Sequence, residues 1–67
     1  MPDFATALRE TMEERGLRPE HVAVAASLTA QAINSYLTGA RKPGYDALIA
    51  LCRAYPSLAT RLNVVAA

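Results

Sequence analysis

Residues Leu17–Pro43, LRPEHVAVAASLTAQAINSYLTGARKP, decide how the rest of the chain reads. Pro19 suits the first turn of a helix, because its missing N–H would have no partner there anyway. Ser27 and Leu28 interrupt that helix, Thr29 can cap the next, and Gly39 can end it. The result is a helix, a short turn and a second helix over about residues 19–38, followed by the basic pair Arg41 and Lys42. No carboxylate lies between Glu20 and Asp46. The later helix of this pair, Ala30 to Leu37 or Thr38, turns Gln31, Asn34 and Ser35 outward. Neutral hydrogen-bonding groups beside a basic edge, with acids kept away, fit a helix laid in a DNA groove.

Working outward, Phe4, Leu8 and Met12 recur every fourth position and predict a first helix from Asp3 or Phe4 to Arg15. Gly16 supplies its left-handed terminator, and Leu17 can fold back on the last turn. Arg9, Glu13 and Glu14 lie off the stripe and read as a solvated face, with Arg9 and Glu13 paired along the helix. Thr11-x-x-Glu14 imitates a capping box but falls in mid-helix, where no cap is needed. Val22, Ala23 and Ala26 form the inward set of the second helix. Arg18 takes its N-cap position, where Ser, Thr or Asp serves better by about 1 kcal/mol. In the third helix Ile33 and Leu37 face the core, joined by Leu28 and Tyr36. Pro43 and Gly44 precede a fourth helix, Tyr45 to Ala54, whose core residues are Leu48, Leu51 and Cys52, flanked by Ile49 and Tyr55. Pro56 forces Tyr55 out of helical geometry. Ser57 can then cap a fifth helix, Leu58 to about Val65.

Sixty-seven residues, 52% of them hydrophobic, argue for one small packed domain over residues 1–67 and against disorder. Fourteen alanines favour helix, and no stretch alternates in strand fashion, so the class is all-α. The single Cys52 requires no oxidising compartment and reads as a buried, inert thiol. With one His and one Cys, the usual structural zinc sets are ruled out. No signal peptide or membrane-length apolar run is present, which makes a cytoplasmic location the simplest expectation. The formal charge of +1 says less than its distribution: five of six acids fall in the first twenty residues, while His21 to Tyr45 holds Arg41 and Lys42 against none.

The stretch LRETMEERGLRPEHVAVAASLTAQAINSYLTGARKPGYDALIALCRAY resembles the helix-turn-helix domain of the Cro/cI (XRE-like) repressor type. The likeness spans about Leu8 to Leu62. It is strongest at Glu14-Arg15-Gly16-Leu17, at Val22-Ala23, and at Ile33-x-x-Tyr36-Leu37-x-Gly39-x-Arg41-Lys42-Pro43. The resemblance implies a compact five-helix bundle of the lambda-repressor-like kind, with the third helix in the major groove. Ala30, Gln31, Asn34 and Ser35 would then read base edges, and Arg18, Thr29, Thr38, Arg41 and Lys42 would hold phosphates. Gln31 and Asn34 can each meet adenine through paired hydrogen bonds, and the Ala30 methyl can meet a thymine methyl. Three positions depart from the pattern. Ser27 stands where the family usually has glycine, at a strain of about 1–2 kcal/mol if its backbone is left-handed. Met12 and Leu37 stand where relatives carry a buried Arg–Glu pair, and both are apolar together. Tyr55-Pro56-Ser57 replaces a small-residue connection.

The function expected is a sequence-specific regulator of transcription, most simply a small dimeric repressor of phage or mobile-element type acting on a two-fold operator. The chain offers no room for a ligand-sensing domain, so control would come from its concentration and dimerisation. Tyr55, Leu58, Leu62 and Val65 are the expected dimer surface, although Leu58 and Leu62 could equally close the monomer core. Other roles in the same fold are an antitoxin, a restriction-modification controller, or a protein-interaction module that reads no DNA. No nucleophile, base and oxyanion donor can be assembled, so the chain is not expected to be an enzyme. No cofactor, metal, membrane or small-molecule partner is implied. His21 reads as a surface residue, and Tyr36 and Tyr45 as packing residues.

Overall fold

Five helices follow one another in the computed structural model, which describes residues 3–62: α1 (Phe4–Arg15), α2 (Pro19–Ala26), α3 (Ala30–Thr38), α4 (Tyr45–Ala54) and α5 (Pro56–Leu62). No strand occurs among the described residues. α1 closes on Gly16, at φ 64°, where the Gly16 N–H donates to the Glu13 carbonyl at 3.3 Å and the Leu17 N–H to the Met12 carbonyl at 2.9 Å. Such a pair satisfies carbonyls that the end of a helix would otherwise orphan. α2 closes the same way without a glycine. Ser27 takes φ 57°, its N–H donates to the Val24 carbonyl at 3.3 Å, and the Leu28 N–H donates to the Ala23 carbonyl at 2.8 Å. Ser27 is the one described non-glycine residue with positive φ, and it sits in the turn of the motif.

Leu8, Val22, Ile33, Leu51 and Leu58 are fully buried, one from each helix, with Met12, Ala23, Ala26 and Tyr36 around them. α3 packs on α1 and α2, α4 on α2 and α5, and α5 returns to α1. Cys52 is buried, and burial raises its thiol above the ordinary range, away from the reactive thiolate. Leu48, expected in the core, is only half-buried, because burial rises along α4 from exposed Tyr45 to enclosed Leu51.

The last helix differs from its expected form. α5 begins at Pro56, two residues before Leu58, because proline fits a first helical turn and leaves Tyr55 out of helical geometry at φ −132° and ψ 89°. Ser57 therefore lies inside α5 and caps nothing; its buried Oγ has no hydrogen-bond partner among the described residues. Tyr55 is only 6% exposed, with the Arg15 guanidinium 5.7 Å from its ring centre, and Leu58 is wholly enclosed. These two residues close the monomer core and are not available as a dimer surface. Leu62 is half-buried, and Val65 lies outside the described residues.

Two charged groups of α1 also bind across helices where a solvated face was expected. Arg61 of α5 donates to Glu14 at 2.5 Å and to the Thr11 hydroxyl at 3.4 Å, with Glu10 at 4.0 Å. Thr11 is buried and itself donates to the Ala7 carbonyl at 2.9 Å. Arg9, expected beside Glu13, instead donates to the Leu37 carbonyl at 3.0 Å.

Replacing Ser27 with glycine should relieve the left-handed strain. Glycine's greater chain entropy offsets part of that gain, leaving a stabilisation of about 1 kcal/mol and a thermal midpoint several degrees higher. A lower midpoint would mean that the serine side chain supports the turn. The Glu14 carboxyl is held below its ordinary range by the Arg61 hydrogen bond and then by the Arg61 charge. Its depressed folded value means that its stabilisation is present above the unfolded value, about 4.3, and is lost as pH falls through the folded one. Thermal melts of Glu14→Gln between pH 7 and 3 should show a flatter acid-side decline than the parent protein.

Candidate nucleic-acid interface

The two faces of α3 separate cleanly. Ile33 is fully buried, Tyr36 is buried, and Leu37 and Ala32 pack partly against the core. Phe4 meets Tyr36 edge to face, with ring centres 6.0 Å apart and planes at 87°. On the opposite face Gln31 and Asn34 are exposed, while Ala30 and Ser35 are half-buried. Four turns of alternation are unnecessary: in nine residues the 3.6-residue period sends the apolar side chains inward and the amides outward.

Each end of α3 is fixed by local chemistry. Thr29 is extended at φ −96°, and its Oγ1 accepts the Ala32 N–H at 3.1 Å, satisfying a first-turn donor. Thr29 is exposed and keeps its hydroxyl proton for another acceptor. At the other end Gly39, at φ 79°, reverses the chain, and the Arg41 N–H donates to the Ser35 carbonyl at 3.3 Å. This folds the loop back on α3 and leaves Arg41 and Lys42 exposed in succession. Thr38, expected at a phosphate, is exposed and takes part in the turn. Its hydroxyl donates to the Ser35 carbonyl at 3.2 Å and accepts the Ala40 N–H at 3.4 Å, so its proton is engaged in building the turn.

Arg18 is exposed at the head of α2, in extended geometry with its guanidinium unused as a cap. Its backbone N–H donates to His21 Nδ1 at 3.3 Å. His21, expected as a plain surface residue, thus performs the part that Glu or Gln plays at the third position of a capping box. The spacing of three from Arg18 was the available signal. Tyr45 was also misjudged: it is 78% exposed, at the first residue of α4 and three positions beyond Lys42. Arg41, Lys42 and Pro43 border an open groove of about 430 Å³ whose walls include the acid Asp3 as well as Phe4, Tyr36, Leu48 and Leu62.

The charge pattern around α3 is uneven. No acid lies on α3 or in the loop after it, and Glu10 and Glu14 on α1 are turned toward Arg61. Glu20 and Asp46 stand in the first turns of α2 and α4, where a helix N-terminus favours negative charge. Among the described residues no group of three or more His, Cys, Asp or Glu could hold a metal ion. No described helix is long and apolar enough to cross a membrane.

This is the geometry of a helix-turn-helix motif: α2, a turn on a left-handed residue, and α3 with its polar side free. The helix-turn-helix domain family matches residues 3–62, and the chain belongs to that family. The match agrees with the Cro/cI-type resemblance and covers all five helices. No curated protein and no solved structure matches the chain.

Removing the Thr29 hydroxyl should leave the Ala32 N–H without its partner. Thr29→Ala is expected to lower stability by about 1 kcal/mol in thermal or urea unfolding followed by circular dichroism, with helix content at 20 °C nearly unchanged. No loss of stability would show that water replaces the cap at no penalty.

Proposed function

We propose that this protein is a sequence-specific double-stranded DNA-binding regulator of transcription in which α3 enters the major groove. The observation that carries this reading is the outer face of α3, amide-bearing and free of charge, ending against the exposed pair Arg41 and Lys42. Gln31 and Asn34 supply paired donors and acceptors for adenine, Ala30 a methyl contact, and Ser35 a short hydroxyl. Arg18, Thr29, Arg41 and Lys42 hold phosphates on the two sides of the groove, setting register rather than sequence. The chemistry is binding, with no catalytic step. Repression by occupancy of a promoter is the simplest outcome, and a two-fold dimer would place two α3 helices about 34–36 Å apart on an operator. With Tyr55 and Leu58 enclosed, that dimer would draw on Leu62 and the surface near it. An antitoxin or restriction-modification controller would use the same face.

A second reading is a protein-interaction module, for which the side chains of Val24 and Tyr45, 81% and 78% exposed, are the available apolar contacts. Salt separates the two. DNA affinity should fall steeply with rising salt, while an apolar contact should not.

Selection of bound duplexes from a random pool tests the proposal and would give the site and its symmetry. On the selected duplex, Gln31→Ala should relax preference at one base position by about 1–3 kcal/mol. Arg41→Ala should weaken selected and unrelated duplexes alike and reduce the salt slope by about one. Failure of the pool to yield any enriched sequence would overturn sequence reading in favour of the interaction module.

A further inference from the structure

The C-terminal end of α3 is held from α1 by a single directional bond. The last four carbonyls of a helix have no partner within it. In α3, the Ser35 carbonyl receives the Thr38 hydroxyl and the Arg41 N–H, and the Tyr36 carbonyl receives the Gly39 N–H. The Leu37 carbonyl is taken by Arg9, whose Nη2 donates at 3.0 Å from a residue 28 positions away. α3 has no basic residue in its own last turn, so Arg9 also brings the positive charge that this end of a helix dipole favours. Apolar groups also lie where α1 meets α3. Met12 is buried, Leu37 packs partly on the core, and the Phe4 ring meets Tyr36. Apolar packing sets which side of α3 faces the core, and a bond from a planar guanidinium to one carbonyl narrows the rotation and tilt that remain.

We propose that Arg9 is a positioning residue for DNA reading: it fixes the rotation and tilt of α3 against α1, and so sets sequence discrimination without touching DNA. The proposal rests on the DNA-reading function argued above. The α3 helix has only nine residues and, among the described residues, packs on two helices, α1 and α2. Its N-terminal end is set by the Thr29 cap and the α2 turn, and its C-terminal end by Arg9. Gln31 and Asn34 lie between these two supports. A bidentate amide contact to adenine needs both hydrogen bonds near ideal geometry, so a small rotation of α3 weakens discrimination before it weakens phosphate contact.

The test compares the parent protein with Arg9→Ala and Arg9→Lys on the selected duplex and on an unrelated duplex, across a salt series and well below the melting temperature. Amide hydrogen exchange at Thr38 and Gly39 is measured in the free proteins. Arg9→Ala should lower the ratio of specific to non-specific affinity by about tenfold, the smaller end of what one bidentate base contact contributes. Non-specific affinity and salt slope should stay constant, exchange at the α3 end should quicken, and Arg9→Lys should recover part of the ratio. Equal weakening on both duplexes, with a salt slope reduced by about one, would make Arg9 a phosphate contact and overturn the proposal. An unchanged ratio, whatever happens to the melting temperature, would also overturn it. If the parent protein itself shows no discrimination, the DNA-reading function fails. Exchange at the α3 end would then still report whether Arg9 orders that helix.

Discussion

Burial of one aliphatic side chain from each helix at a common centre is the constraint on which the rest of this structure depends. Leu8, Val22, Ile33, Leu51 and Leu58 are wholly removed from solvent. Each such side chain contributes about 1.5–3 kcal/mol relative to exposure, in a domain whose size leaves little margin. Ile33 is the member that matters for function. By burying Ile33 and Tyr36 against α1 and α2, the bundle obliges Gln31 and Asn34 on the same short helix to face away. The outward amide face is therefore a consequence of core packing.

Polar contacts refine what the core assembles. Arg61 ties α5 to α1 through Glu14 and Thr11, Arg15 covers the Tyr55 ring, and Arg9 reaches the end of α3. Three arginines thus act as bridges within the monomer, and Arg18, Arg41 and Lys42 are the exposed cations bordering the helix-turn-helix motif. This division explains how a chain with a formal charge of +1 presents a locally basic edge. Net charge describes the whole molecule, whereas a groove in DNA meets one side of it.

Much of the fold was legible because its signals are local. Gly16 and Gly39 ended helices where left-handed geometry was needed, Thr29 capped α3, and Pro56 ended α4 by its effect on Tyr55. Spacing of Phe4, Leu8 and Met12 marked the inward face of α1. The misjudged positions share a different cause. Tyr45 and Leu48 have the period of a core face but sit at the open end of α4, and periodicity carries no information about where a neighbouring helix stops. Tyr55 and Leu58 looked free to dimerise because the path of α5 depends on how Pro56 starts it. Arg9 and Glu14 are exposed as expected, but their cross-helix bonds went unforeseen because the partners lie on helices distant in sequence. The bond from the Thr38 hydroxyl to the Ser35 carbonyl was not legible either, because it requires the turn at Gly39 to be in place.

Residue order alone indicated which segments are helical, where the first four stop, and which side of α3 carries amides, since propensity, capping and period act over a few neighbouring positions. The assembled bundle decided which cations remain free, which apolar residues are enclosed, and what holds the end of α3. Those outcomes depend on contacts between residues as far apart as Arg9 and Leu37, or Thr11 and Arg61, which exist only once the helices have docked.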